Sequence, residues 1–196
     1  MIKKPALTLF IVISIFTSSC MARDYQLRSL TPDEFKQISS IVQRAITTDD
    51  SKIHILPFDE KQSFILIKQG NLLGYLLPVT FNSLTYRNTI CRLFLIGPDQ
   101  NQVGHADLFA EKGDGDEVVS SCVGVEAVSI KEINQNEFLY LALVRHRVVN
   151  TYSSTGVAVS YKDGKLFFDH KLNSCIQKET ISNISYLRKR TLSCLK

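Results

Sequence analysis

Residues 155–168, which read TGVAVSYKDGKLFF, indicate the class of fold that this sequence specifies. Val157, Val159 and Tyr161 recur at alternate positions, which is the pattern of a strand with one buried face. Asp163-Gly164 follows, and this dipeptide suits the tightest hairpin turn because both of its central positions need positive φ. Residues 165–170 then read as the returning strand. The stretch therefore predicts an antiparallel β-hairpin.

The same pattern of short apolar runs and turn residues extends along most of the chain. Further strands are predicted at 52–56, 63–68, 72–79, 89–96, 102–111, 117–130 and 137–149. Turn sequences such as Gly97-Pro98-Asp99-Gln100 separate them. Parallel strands would need long crossovers, so these short connections favour antiparallel pairing. We expect an α+β fold with one curved, mainly antiparallel β sheet or open barrel built from hairpins.

An N-terminal helix is predicted to begin at Thr31, after a short lead-in. Thr31 suits the capping position, Pro32 the first helical position, and Glu34 completes a capping box. Leu30 and Phe35 can form a hydrophobic staple across this start. The apolar stripe continues to about residue 47 through Phe35, Ile38, Ile41, Val42, Ala45 and Ile46. The helix should pack on the sheet by this stripe.

A short second helix is predicted over residues 180–187, where Ile181, Ile184 and Leu187 have helical spacing. The basic cluster Arg188-Lys189-Arg190 follows it and is interpreted as a solvated helix end.

Composition describes one ordinary globular domain of 196 residues, with 44% hydrophobic and 21% charged residues. The formal net charge of +4 falls to +2 when Lys3 and Lys4 are set aside with the leader. This balance is too weak to indicate a nucleic acid partner.

The first residues have the organisation of a bacterial export signal. Lys3 and Lys4 precede an apolar run over 6–16, and small residues lead into Cys20. This segment resembles the signal of bacterial lipoproteins, although Thr17 stands where that pattern usually has Leu. The resemblance covers residues 1–20 and implies that Cys20 is acylated as a lipid anchor. Cleavage after Ala22 is the alternative, so residues 1–22 are expected to be removed in full or almost in full, and residues 24–196 to form the domain.

The other four cysteines form an even set, as expected for an oxidising compartment. They are Cys91, Cys122, Cys175 and Cys194. Four cysteines allow three pairings, of which the nearest-neighbour one joins Cys91 to Cys122 and Cys175 to Cys194. Their wide spacing is unlike that of zinc ligands, so we predict two disulfides and no metal site.

Residues 111–117 form the most acidic stretch, with Asp114, Asp116 and Glu117 on a glycine-rich turn. The spacing does not match a calcium loop. We interpret it as a charged hairpin tip and predict that these three carboxylates contact a protein partner.

No catalytic or cofactor motif is present in the sequence. His54, His105, His146 and His170 all fall on predicted strands, without metal-ligand spacing, and no nucleophile elbow occurs. No catalytic residue and no cofactor are therefore assigned.

Function is thus predicted at the level of class. The leading hypothesis is an envelope binding protein, lipid-anchored or free in the periplasm, that sequesters a protein partner as immunity proteins and hydrolase inhibitors do. One alternative is an envelope hydrolase acting on wall polymer or carbohydrate, for which His105, His146, Asp114 and Asp116 are the first candidates. The other is a structural or assembly lipoprotein.

Overall fold

The computed structural model describes residues 25–49, 54–55, 57–83, 88–109, 121–148 and 151–196. These residues form two antiparallel β sheets and three α-helices. In chain order the elements are β1 (Tyr25–Ser29), α1 (Pro32–Asp49), β2 (His54–Ile55), β3 (Phe64–Lys68), β4 (Asn71–Ser83), β5 (Asn88–Ile96), β6 (Val103–Phe109), β7 (Ser121–Asn134), β8 (Glu137–Val148), β9 (Thr151–Lys162), β10 (Lys165–Phe168), α2 (His170–Ile176) and α3 (Ile184–Cys194).

Sheet A has the strand order β1-β3-β4-β5-β6, and β2 pairs with β4 beyond the end of β3. Sheet B has the order β10-β9-β8-β7 and is a simple meander. Its last hairpin turns at Asp163 and Gly164, whose φ angles are 50° and 78°. These positive values are the ones that the Asp-Gly dipeptide predicted.

The two sheets pack face to face around a central core to which both contribute. Leu76 and Leu93 enter it from sheet A, and Phe138 and Tyr140 enter it from sheet B. β7 contacts β5, β4 and β1, while β6 contacts β8, β9 and β10. An edge strand of each sheet thus runs across several strands of the other, which is the pattern of sheets whose strands cross.

Helices cover both outer faces, which gives four layers. Ile38, Val42 and Ile46 of α1 are buried against the outer face of sheet A. On the other side α2 and α3 bury Leu172, Ile176 and Leu187 against the outer face of sheet B.

Gly156 of β9 allows α2 and α3 to approach sheet B closely. A Cβ at this position would lie 2.6 Å from Leu187 Cδ1, 3.0 Å from Ile181 Cγ1 and 3.4 Å from Ile176 Cγ2. All three side chains are buried, so none can move aside without disturbing its neighbours. Glycine is therefore required here for close packing rather than for an unusual backbone angle.

The N-terminal helix begins as the sequence predicts. The Glu34 amide donates to Thr31 Oγ1 at 3.3 Å, and the Thr31 amide donates to Glu34 Oε2 at 2.8 Å, which completes the capping box. Arg28 of β1 adds a bidentate contact to the same carboxylate. The helix continues two residues past the predicted end, to Asp49.

The predicted α+β class with mainly antiparallel strands is confirmed, but the strands divide between two sheets instead of forming one. β1 was expected as a lead-in and is a strand, because it pairs with β3, far along the chain. Residues 165–170 do not remain extended throughout, since Asp169 caps α2 by accepting from the Leu172 amide. The last helix lies later than predicted, because Asn183 caps it by accepting from the Tyr186 amide.

Two disulfides are present, with the nearest-neighbour pairing. Cys91–Cys122 joins β5 to β7 and therefore sheet A to sheet B, with a Cα–Cα distance of 5.7 Å. Cys175–Cys194 joins α2 to α3 at 5.9 Å. The prediction of two disulfides is confirmed, and such bonds indicate folding in an oxidising compartment. Within the described residues, no helix combines the length and apolar character needed to cross a membrane.

Candidate functional site

The disulfide between Cys91 and Cys122 marks one end of the sandwich. β4, β6 and β8 end here and β5, β7 and β9 begin here, because neighbouring strands are antiparallel. Thr80 of β4 also lies here, with its hydroxyl oxygen 3.4 Å from Cys91 Sγ. We refer to this part of the molecule as the disulfide end.

A cleft of about 610 Å³ opens at the disulfide end. Its lining comes from the segment 57–61, from Pro78 and Thr80 of β4, and from residues 123–125 of β7. The lining mixes apolar side chains with two carboxylates and a lysine. Clefts of roughly 300–1,000 Å³ commonly hold small ligands or the side chains of a partner.

Hydrogen bonds fix the segment that forms one wall of this cleft. Asp59 caps a 3-10 turn at Glu60–Gln62 by accepting from the Lys61 amide at 3.0 Å. The fully buried Ser63 donates from its hydroxyl to the Asp59 carbonyl at 2.7 Å. Gln62 Nε2 donates to the Glu126 carbonyl at 3.2 Å and so attaches the wall to β7. The cleft is therefore a defined feature of the fold.

Next to the cleft, sheet B presents an uncovered surface that we name the disulfide-end patch. It consists of Val123, Glu126, Arg145, Tyr152 and Ser154. The Arg145 guanidinium lies over the Tyr152 ring, 4.7 Å from its centroid, and its Nε is 3.8 Å from Glu126 Oε1. Ser154 donates to the other oxygen of Glu126 at 2.8 Å. Tyr152 is 58% exposed and Val123 is 44% exposed.

The edge of sheet B next to the patch is irregular. The β7–β8 register shifts between Cys122 and Gly124 and again between Val125 and Ala127. Such bulges twist an edge strand and prevent unselective pairing with other strands. They also turn Val123 outward, since it is among the exposed apolar side chains. This end of β7 therefore exposes side chains rather than a flat ladder of backbone groups.

A buried hydroxyl lies in the core within electrostatic range of the cleft wall. Burial raises the pKa of Tyr140 well above its usual value, and the Asp59 carboxylate acts in the same direction. Within the part of the chain that the structure describes, this hydroxyl has no hydrogen-bond partner. The phenol is therefore neutral at physiological pH.

The structure does not bring together the histidines proposed for a hydrolase. His105 lies on β6 beside Phe94, on the face of sheet A that α1 covers, with a ring-centroid distance of 5.8 Å. His146 lies on β8 between the sheets, with Nε2 2.9 Å from Thr155 Oγ1. The two rings are thus on different sheets and different faces.

The other sequence-predicted site residues fall outside the described residues. They are Cys20, Asp114, Asp116 and Glu117. Phe109 and Ser121, the described residues nearest to the acidic stretch on either side, both lie at the disulfide end. His170 begins α2, where its ring lies 4.9 Å from that of Phe168. Among the described residues, no three His, Cys, Asp or Glu side chains converge as ligands of one metal ion would.

The C-terminal basic cluster lies inside α3 rather than at a solvated helix end. Arg190 is not a freely solvated side chain, because it contacts α2 and the segment between α2 and α3. It donates to the Cys175 carbonyl at 2.9 Å and pairs with Glu179 at 2.8 Å. Tyr186 donates to the same Glu179 carboxylate. Within the cluster, Arg190 thus has a structural role and holds α3 against α2.

Sequence reasoning missed the cleft wall at 57–61 and the disulfide-end patch. One feature of the sequence pointed to the patch. After the apolar run of β8, residues 145–148 and 151–155 are mostly polar, although β8 and β9 continue through them. Where a strand continues after its apolar residues end, that part of the sheet is not covered by another layer.

These features define a disulfide-bonded, four-layer sandwich of helices and antiparallel sheets, with an exposed Arg–Tyr surface beside a cleft at one end. Comparisons with protein-family models, with curated proteins and with solved structures find no match for this chain.

Proposed function

We propose that this protein is an exported binding protein of the bacterial envelope that holds a protein partner through its disulfide end. The observation that carries the proposal is the pair formed by Arg145 and the exposed Tyr152, beside the cleft and the bulged edge of β7. Tyrosine and arginine are, with tryptophan, the residues most enriched at the energetic centres of protein interfaces. Here both are held in position before any partner binds.

Preorganisation supports binding as the role of this surface. Glu126 contacts Arg145 on one side and Ser154 on the other, so the guanidinium already has a defined position over the ring. The Cys91–Cys122 disulfide restrains the strands that present these side chains. A surface that is rigid in the free protein loses less entropy when a partner binds.

The features that favour export also indicate which kind of protein the partner is. Two disulfides are suited to a compartment outside the cytoplasm, and the leader resembles that of bacterial lipoproteins. The proteins met there include hydrolases that act on the wall and toxins delivered by other cells. We therefore propose that the partner is such an enzyme and that this protein sequesters it as an immunity protein or inhibitor.

The test compares variants of the disulfide-end patch with matched variants elsewhere. Tyr152→Ala and Arg145→Ala should each weaken binding by about tenfold or more if they lie at the centre of the interface. Phe167→Ala and Lys189→Ala are the controls, because they remove an exposed aromatic ring on β10 and an exposed cation on α3, both outside the patch. The parent and all four variants would be used to capture partners from the native envelope, and affinities would then be measured with the purified partner.

The expected result is one envelope or delivered enzyme that is retained by the parent and by both control variants and is lost from both patch variants. Its activity should fall when the parent protein is added. Equal retention by all four variants would place the interface elsewhere, and a wall polymer or saccharide cleaved by the purified protein would replace binding with hydrolysis.

A further inference from the structure

The chain enters the domain at the end opposite the cleft. Tyr25, the first residue of β1, pairs with Lys68 next to the β3–β4 turn. Its hydroxyl donates to the Gln135 carbonyl in the β7–β8 turn at 2.9 Å. Lys68 Nζ lies 5.4 Å from the centroid of the Tyr25 ring and 3.2 Å from Asn136 Oδ1. The turns of both sheets therefore meet where the chain enters, and we refer to this part as the turn end.

In both sheets the turn end and the disulfide end lie at opposite ends of the strands. In sheet A, Tyr25 is level with Asn71 of β4 through the pairing of β1, β3 and β4, and Thr80 is nine residues further along β4. At about 3.3 Å per residue this corresponds to roughly 30 Å. In sheet B, β7 runs from Cys122 at the disulfide to Asn134 beside the β7–β8 turn. The cleft and the point at which the chain enters thus lie at opposite ends of the molecule.

The predicted anchor is close to the turn end in the sequence. Five residue steps separate Cys20 from Tyr25. Even a fully extended chain of that length spans at most about 18 Å. This is less than the length of the sandwich, so an acyl group on Cys20 holds the turn end near the lipid surface.

We propose that the turn end lies against the bilayer that carries the anchor and that the disulfide end, with its cleft and patch, is carried outward. This inference rests on the lipoprotein part of the proposed function. It specifies the direction of binding: the partner approaches from the space beyond the membrane surface rather than from the lipid.

Charge at the turn end supports contact with headgroups without setting the orientation. Lys162 and Lys165 are exposed on the two sides of the Asp163-Gly164 turn, where ammonium groups can reach lipid phosphates. Asp163 and Glu137 lie next to them and balance these two charges. The short tether, rather than attraction to anionic lipid, therefore determines which end faces the bilayer.

Tryptophan fluorescence provides the test, because the sequence contains no tryptophan and each introduced one reports alone. Gln135→Trp and Lys165→Trp place the probe at the turn end, while Val123→Trp and Tyr152→Trp place it at the disulfide end. All four positions are exposed. The acylated full-length variants would be reconstituted in phosphatidylcholine vesicles that contain a lipid with a nitroxide on its headgroup. The turn-end probes should lose most of their emission and the disulfide-end probes should keep theirs.

Three controls separate the possible failures. A Cys20→Ser form of each variant should show no quenching, because it lacks the anchor. Adding anionic phosphatidylglycerol should leave the ranking of the four probes unchanged, and a ranking that appears only in anionic vesicles would overturn the tether argument. Equal quenching of all four probes in the acylated protein would overturn the orientation alone. Mass spectrometry that finds Cys20 without acyl chains would overturn the anchor and this inference with it, while the capture experiment would still test the binding of a partner.

Discussion

Tyr140 illustrates at the scale of one residue how a buried polar group affects this core. Its side chain is fully buried between the sheets, and within the described structure its hydroxyl has no hydrogen-bond partner. Tyr25 is a natural comparison, since it also lies in the central core but donates to the Gln135 carbonyl. A buried hydroxyl without a partner loses its hydration and gains nothing in return.

We therefore predict that Tyr140→Phe leaves the free energy of unfolding unchanged or raises it by up to about 1 kcal/mol. Tyr25→Phe should lower it by about 1 kcal/mol, because that variant removes a hydrogen bond. Urea denaturation of both variants and the parent measures the difference. If Tyr140→Phe is the more destabilising of the two, the hydroxyl has a polar partner that matters to the fold.

Glu34 makes stability depend on pH at a single carboxyl group. The Arg28 guanidinium, helped by the Thr31 amide, lowers its pKa from 4.5 to about 2. Because the folded pKa lies below the unfolded one, the stabilisation is complete above pH 4.5 and is lost as the pH falls towards 2. The urea midpoints of the parent and of Glu34→Gln should therefore differ at neutral pH and converge over this range.

Arg28→Gln is the matched control for this pH dependence, since it keeps the carboxylate and removes its strongest partner. The pKa of Glu34, followed by NMR through the side-chain carboxyl, should move up towards its ordinary value. A midpoint difference between the parent and Glu34→Gln that stays constant down to low pH would show that the carboxylate does not stabilise the helix start through its charge.

At the scale of the element, α1 combines a local start with a tertiary docking face. Its capping box needs only residues within one turn, whereas Ile38, Val42 and Ile46 need the outer face of sheet A. Local and tertiary contributions can therefore be separated by substitution within one helix. Sequence reasoning identified both, because caps and periodicity are local properties.

We predict that Thr31→Ala costs about 1 kcal/mol of stability by removing the cap. Val42→Asp should cost about 3 kcal/mol or more, because it places an unpaired charge in a fully buried position. Ser40→Asp is the control, since Ser40 is exposed on the same helix. Denaturant midpoints of the three variants give the order. A Val42→Asp protein that unfolds at the midpoint of the parent would mean that the stripe does not face the core.

At the scale of the whole molecule, the two disulfides contribute differently to stability. Cys91–Cys122 closes the longer loop, with a sequence separation of 31 against 19, and it joins the two sheets. Its sulfur atoms lie in the central core, while the other bridge only links α2 to α3. Bonds that close longer loops restrict the unfolded chain more strongly.

We predict that the double variant Cys91→Ala/Cys122→Ala loses about 4 kcal/mol and that Cys175→Ala/Cys194→Ala loses less, about 3 kcal/mol. Chemical denaturation orders the two variants. Hydrogen exchange should rise at the disulfide end only in the first variant, because only that bond restrains the strands around the cleft. Equal exchange in both would indicate that packing alone holds the sheets together there.

The sequence by itself determined the parts of the structure that depend on neighbouring residues. The Asp163-Gly164 hairpin, the start of α1 and the antiparallel character of most strands follow from turn chemistry, caps and periodicity, which act over a few residues. The sequence left three cysteine pairings open, and the structure has the nearest-neighbour one. Even there α2 was missed, because the cap at Asp169 follows directly on an extended strand.

Only the tertiary structure decided how these parts combine. Periodicity shows that a strand has an apolar face but not which distant strand or helix covers it, so the division into two sheets and the place of β1 were not visible. The same limit applies to the candidate site. Segment 57–61 and residues 123–126 are far apart in sequence, and they meet only because β7 crosses sheet A and Gln62 bonds to the Glu126 carbonyl. Such contacts depend on the packing of whole layers, which no local pattern records.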